Sequence, residues 1–137
     1  MNEDLKLSVF ANLQSYNSKA VGMDEIVRMV RHDIIVKNKT LGYRAMAKTI
    51  SKAEANKNIK EKIVEAFSVA VLFSGTGKKP EHVVGFTGLA MCDLDEVADV
   101  EQARRLITSD PHTLLFYESI STKGLPGDLP LQERGQW

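Results

Sequence analysis

Hydrophobic spacing in the first half of the chain predicts one strand followed by two helices. Hydrophobic and polar residues alternate over Leu5–Val9, which is typical of a strand with one buried face. A loop is expected through residues 17–22. Over Met23–Arg31 the apolar residues recur at helical spacing behind two acids in the first turn, which predicts a short helix. A second helix is predicted over Thr40–Ala55, because its apolar residues then share one face.

The second half of the chain predicts three strands and one helix. Phe67–Phe73 is rich in valine and phenylalanine and ends at the turn SGTGKKP, which indicates a strand. A further strand is predicted over Thr87–Leu94. Asp99 supplies a helix N-cap with Gln102 three residues later, and an apolar stripe continues to Ser109. The run TLLFYES, residues 113–119, predicts the last strand.

This order of elements predicts an α+β fold. Strand, two helices, two strands, helix and strand together favour a mainly antiparallel sheet with helices packed on one face. A chain of 137 residues with 43% hydrophobic side chains can bury one core, so one domain is expected. The single cysteine, Cys92, excludes an internal disulfide. Without a signal-peptide pattern or a long apolar run, a cytoplasmic location is expected.

Charge is unevenly distributed although the chain as a whole is neutral. Residues 37–62 carry eight lysine or arginine residues against two glutamates, a net charge of +6. Residues 91–110 carry six acidic residues against two arginines, a net charge of −4. A basic face beside an acidic site suits a polyanion held near a cation, and the alternative is an ordinary solvated helix face. The candidate nucleic-acid contacts are Lys48, Lys52 and Lys60.

The acidic pair Asp93 and Asp95 is the candidate metal site. If residues 87–95 are extended, both carboxylates lie on one face, roughly 6 to 7 Å apart at the end of the strand. This spacing suits one or two Mg²⁺ or Mn²⁺ ions with coordination positions left for nucleotide phosphates. The alternative is a solvated strand end without metal.

Two glycine-containing segments resemble phosphate-binding loops. SGTGKK, residues 74–79, lacks the first glycine and the hydroxyl of a Walker motif, so an ordinary turn is expected. SISTKGL, residues 119–125, follows a strand, and its backbone N–H groups could form an anion nest beside Lys123. A plain loop is the alternative for this second segment.

The order of several short motifs resembles the N-terminal VirE-type domains of bacterial mobile-element proteins. The motifs are LSVFANLQS, MDEIVRMVR, AVLFSGTGKK, DLDEV, VEQARRLI and DPHTLLFYESISTKGL, which together span about residues 5–125. The resemblance implies a primase-like fold of the archaeo-eukaryotic primase superfamily and nucleotidyltransferase ancestry. It implies catalytic metal ligands at Asp93 and Asp95. It further implies phosphate contacts from Ser121, Lys123 and Gly124, binding of nucleotide and DNA, and a helicase-type partner.

The segment after Leu125 departs from that resemblance. Residues 126–137, PGDLPLQERGQW, have no periodicity where the family continues with a basic strand. A one-base insertion near codon 126 would explain the change, so residues 1–125 are expected to be a partial primase-like domain followed by an irregular tail. Such a domain would lack later catalytic motifs and would expose a sheet edge for homodimer formation. Whether it is an enzyme stays open, and the alternative functions are non-catalytic nucleic-acid binding and an inert fragment.

Overall fold

The computed structural model describes residues 5–94, 97–121 and, for the backbone, 131–133. It has seven strands and four α-helices within these residues. The strands are β1 Lys6–Phe10, β2 Ser18–Gly22, β3 Ala66–Ser68, β4 Val71–Phe73, β5 Val83–Phe86, β6 Leu115–Tyr117 and β7 Leu131–Glu133. The helices are α1 Met23–His32, α2 Ile34–Thr49, α3 Lys52–Ala55 and α4 Val100–Ser109, with a π-helical turn at Asn56–Lys60 and a 3₁₀ turn at Pro80–His82.

The first sheet places β1 between β2 and β3, and both pairings are antiparallel. Leu7 of β1 packs with Met23 and Ile26 of α1 to form a buried cluster. The neighbouring Ser8 is fully buried, and its hydroxyl accepts a hydrogen bond of 2.8 Å from the backbone N–H of Phe73. A buried hydroxyl needs such a partner, and this bond ties β1 to β4.

The second sheet pairs β4 with β5 antiparallel, with a register shift between Leu72 and Phe73. Strand β5 ends at Phe86. Beyond it the Thr87 hydroxyl donates to the carbonyl of Val69, and Gly88 adopts a φ of 77°. This left-handed conformation is favourable for glycine and ends the extended backbone.

A second buried cluster lies under α2. Tyr43 of α2 packs against Ala55 of α3 and Ile59 of the π-helical turn. The Tyr43 hydroxyl donates a hydrogen bond of 2.6 Å to the side-chain oxygen of Asn56. Burial raises the pKa of Tyr43, because the charged phenolate is disfavoured away from water. This cluster holds α2 against the segment that follows it.

The mixed α+β fold predicted from the sequence is confirmed, and every strand pairing among the described residues is antiparallel. The first strand, the helix at Met23 and the helix capped by Asp99 are also confirmed. No helix in the described ranges is both long and apolar enough to cross a membrane.

Four local predictions are wrong. The expected loop over residues 17–22 contains β2, because its polar residues pair with β1. The helix predicted over Thr40–Ala55 begins at Ile34 and ends at Thr49, before the separate α3. The strand predicted over Phe67–Phe73 is two strands, broken at residues 69–70. The strand predicted over Thr87–Leu94 is irregular.

Candidate functional site

The basic segment is built on α2, which begins at a strong N-cap. The Asp33 carboxylate accepts hydrogen bonds from the backbone N–H groups of Ile35, at 2.9 Å, and Val36, at 3.1 Å. These bonds, led by the one from Val36, lower the pKa of Asp33, and the nearby Arg28 guanidinium contributes to the same shift. The cap lets a helix start at three consecutive β-branched residues, which have modest helix propensity.

The segment turns twice after α2. Ile50 ends the helix, and the Ser51 hydroxyl then accepts a hydrogen bond of 3.1 Å from the backbone N–H of Glu54, capping α3. The π-helical turn follows. The Glu61 N–H donates a 2.9 Å hydrogen bond to the carbonyl of Asn56, five residues earlier, which is the spacing of a π-helix. The lysines of residues 37–60 are therefore carried by α2, α3 and the π-helical turn, and Lys62 lies in the turn that follows.

Most lysines of this segment are exposed and have no acidic partner. Within the described residues, no ion pair within 4.0 Å involves any of them except Lys39, which contacts Glu65 at 2.7 Å. We call the remaining lysines the basic surface. They are Lys37, Lys48, Lys52, Lys57 and Lys62, which are exposed, and Lys60, which is half-buried. The charge of this surface is therefore available to a ligand.

The sequence predicts nucleic-acid contacts at three of these lysines, Lys48, Lys52 and Lys60. Lys37, Lys57 and Lys62 count toward the predicted net charge but are not among the predicted contacts. Their exposure depends on the start of α2 and on its end at Ile50. The hydrophobic pattern predicted neither of these positions. In the sequence, only the excess of basic over acidic residues in this segment indicates that these three lysines could contact a nucleic acid.

Arg44 connects the basic segment to the serine-rich loop after β6. Its guanidinium donates hydrogen bonds of 3.3 Å to the backbone carbonyls of Ser119 and Ile120. Ile120 also packs against the Tyr43 cluster. The structure thus ties to α2 the two residues that precede Ser121, a predicted phosphate contact, and no local sequence pattern indicates this link.

The rest of that loop was predicted to form an anion nest. Ser121 is half-buried, and the hydroxyls of Ser119 and Ser121 lie 3.3 Å apart. Lys123 and Gly124 lie outside the described residues. Phosphate contact by Ser121, Lys123 and Gly124 therefore stays a prediction.

The predicted metal site has a different local structure from the one expected. Asp93 is exposed and lies outside any strand, so the strand on which the predicted spacing of the two carboxylates depended does not form at Asp93. Asp95 lies outside the described residues. No group of three or more histidine, cysteine, aspartate or glutamate side chains suited to a metal ion occurs in the part of the chain that the structure describes. Metal binding by Asp93 and Asp95 stays a prediction.

Asp93 does have an electrostatic neighbour. Burial raises the pKa of Tyr117 in β6, and the negative charge of Asp93 raises it further. A carboxylate near a phenol disfavours the phenolate, because the two negative charges repel each other. The Asp93 carboxylate therefore lies in the neighbourhood of the Tyr117 side chain.

The turn SGTGKK has a structural role, and Lys78 within it contacts the loop between β1 and β2. The Lys78 ammonium donates a hydrogen bond of 2.6 Å to the carbonyl of Leu13 and lies 4.9 Å from the ring centroid of Phe10. Gly77 is buried, and a Cβ at this position would overlap the imidazole of His82. The glycine and the lysine thus close this turn against the loop that joins β1 and β2.

A known protein-family model matches about half of this chain. The model described as "BT4734-like, N-terminal domain" matches residues 58–126, which are 69 of the 137 residues. The chain belongs to the BT4734-like N-terminal domain family. The BT4734-like match begins within the π-helical turn and runs through α4 and β6. It therefore contains Asp93 and the serine-rich loop, but of the basic surface only Lys60 and Lys62.

This match corrects the family expected from the sequence. The resemblance to VirE-type, primase-like domains is wrong, because the match gives no evidence for either family. The error has a physical basis. No single motif in the resemblance was specific, because the resemblance rested on the order and spacing of several weak motifs. The strand expected to carry the acidic pair does not form at Asp93.

No curated protein and no solved structure matches this chain.

Proposed function

We propose that this domain binds the phosphate backbone of nucleic acid through the basic surface, without catalysing a reaction. The observation that carries the proposal is that all six lysines of this surface lack an acidic partner within the described residues. Unpaired lysines attract phosphates and release the counterions condensed on a nucleic acid, which favours binding. A surface serving only for solubility would more commonly interleave both charge signs.

The serine-rich loop supports the same proposal. Arg44 ties the backbone of Ser119 and Ile120 to α2, the helix that carries Lys37 and Lys48, and Ser121 follows directly in the chain. Hydroxyls commonly donate hydrogen bonds to phosphate oxygens beside lysine contacts. Contacts of this kind position the backbone and read no base sequence, so we propose binding with little sequence preference.

Fluorescence anisotropy with a labelled single-stranded DNA tests this proposal. The variant Lys48→Gln/Lys52→Gln/Lys60→Gln should bind more weakly. The slope of log affinity against log salt should become shallower by about 0.7 for each lost phosphate contact, or about 2 in total. A chelator should change nothing, because this binding needs no metal.

The matched control removes three lysines elsewhere. Lys6→Gln/Lys19→Gln/Lys79→Gln has the same net charge, and all three residues are exposed outside the basic surface. It should bind DNA like the original chain. Equal weakening in both variants would show that only net charge matters, and absence of DNA binding by the original chain would disprove the proposal.

Nucleotide and metal binding at Asp93 and Asp95 is a separate proposal with weaker support. Asp93 is exposed and could reach a cation, and a phosphate-bound Mg²⁺ or Mn²⁺ prefers carboxylate oxygen ligands. A cytoplasmic location stays a prediction alongside it. Nucleotidyltransferase ancestry and a helicase-type partner were implied only by the VirE-type resemblance and lose their support with it. The nucleic-acid proposal depends on none of them.

A further inference from the structure

Helix α2 has an apolar stripe on the face that points to solvent. Ile34 is 62% exposed and Leu41 is 43% exposed, and the two are seven residues apart, which places them on one line along the helix. Lys48 lies seven residues beyond Leu41 and continues this line, and Lys37 and Ala45 lie beside it. We call these five residues the outward α2 face. It lies opposite the buried Tyr43, so α2 presents apolar residues on two sides.

The chemistry of this face restricts what can cover it. Ile34 and Leu41 gain from contact with apolar side chains, whereas Lys37 and Lys48 at the edges would repel another basic surface. A phosphate backbone would satisfy the lysines but would leave the apolar stripe without partners. The complementary surface must therefore combine apolar residues with acidic ones.

The same chain carries a segment with that composition. Residues 91–94 and 97–101, MCDL and VADVE, contain apolar residues beside the acidic residues Asp93, Asp99 and Glu101 and contain no basic residue. We call this stretch the acidic segment. Three of its apolar side chains are exposed, with values of 67% for Met91, 49% for Leu94 and 42% for Val100. Asp93 and Glu101 are exposed beside them.

The two surfaces do not cover each other within one chain, because both remain exposed in the same folded molecule. We propose that the outward α2 face of one copy binds the acidic segment of a second copy. Apolar contacts of Ile34 and Leu41 with Met91 and Leu94 would supply the affinity. The lysines and carboxylates around them would set orientation and association rate. The proposal goes beyond nucleic-acid binding and shares only Lys37 and Lys48 with the basic surface.

Sedimentation velocity of the full chain, without nucleic acid, tests this proposal. We expect a dimer or larger species that grows with protein concentration and is favoured at low salt, because salt screens the charged edge of the contact. The variants Lys37→Glu/Lys48→Glu and Asp93→Lys/Glu101→Lys should each self-associate about tenfold more weakly, because each places like charges across the interface. The control Lys6→Glu/Lys19→Glu changes charge by the same amount elsewhere and should associate normally.

Mixing the two charge-reversed variants provides the decisive comparison. Their equimolar mixture should recover association, because a reversed α2 face then meets a reversed acidic segment. Recovery also shows that both variants are folded. The variant Ile34→Ser/Leu41→Ser should associate about tenfold more weakly while it keeps every charge, because it removes the apolar part of the contact.

Three results would overturn the proposal. One is a monomer at all concentrations and salts, which would leave the outward α2 face to nucleic acid or to a different acidic protein. Another is association that persists in both charge-reversed variants. The third is a mixture that fails to associate although circular dichroism shows both variants folded. None of these results decides whether the basic surface binds DNA, because nucleic acid is absent from the measurement.

Discussion

The Asp93 carboxylate is exposed and lies close enough to Tyr117 to raise the pKa of that phenol. Its separation from the Asp95 carboxylate was inferred for an extended strand, and the backbone at Asp93 forms no strand. The spacing of the two residues in the sequence therefore does not define the distance between their carboxylates.

Metal binding at Asp93 can be tested directly. Mn²⁺ bound by Asp93 and Asp95 should broaden the amide NMR signals of residues 92–94, because an unpaired-electron ion relaxes nearby nuclei. Asp93→Asn should weaken this binding by about tenfold or more, because Mn²⁺ prefers charged oxygen ligands. Glu101→Gln removes the same charge from an exposed residue and should leave the broadening unchanged. Equal broadening in Asp93→Asn would refute the predicted site.

At the scale of elements, the sequence predicts those that depend on local signals. Asp99 caps α4 through its bond from the Gln102 N–H, and both residues could be read directly from the pattern. Strand β2 was missed because its polar residues are ordered by pairing with β1, which is a non-local interaction. The strand expected over residues 87–94 does not form, and Gly88 adopts a positive φ just after Phe86, which the hydrophobic pattern does not reveal.

The start of α2 gives a pH-dependent prediction. The pKa of Asp33 is lowered in the folded state, so the stability that this cap adds is present above the ordinary value of 3.8. That stability is lost as the pH falls through the lower, folded-state pKa. Asp33→Asn keeps an acceptor for the N–H groups but cannot ionise. Its free energy of unfolding should therefore lie below that of the original chain at pH 6 and converge with it in acid.

Urea unfolding at several pH values measures this difference. Asp33→Ala removes the acceptor as well as the charge, and it should be less stable than Asp33→Asn at pH 6. A constant difference between the original chain and Asp33→Asn at every pH would contradict the role of the Asp33 charge in capping α2.

Across the whole molecule, packing is uneven. The two buried clusters are centred on Leu7 and on Tyr43, and they involve α1, α2 and the segment after α2. Helix α4 has no buried residue. A specific link from α4 to the neighbouring segment is the ion pair between Arg104 and Glu118, 2.9 Å apart, with 15% and 11% of the two side chains exposed. We therefore expect α4 to open more readily than α1 and α2.

Hydrogen exchange of the variant Glu118→Gln tests this unevenness. The change leaves the Arg104 guanidinium largely buried without its charged partner, which is costly because a desolvated charge loses its compensation. Amides of residues 100–109 should exchange about tenfold faster or more, while those of α1 should change little, because α1 packs in a separate cluster. The control Glu101→Gln removes a carboxylate that is 71% exposed and 3.7 Å from the same arginine, so its effect should be small. Uniform acceleration in every helix would instead mean that α4 unfolds only with the whole domain, and a large effect of Glu101→Gln would mean that the exposed pair holds the helix.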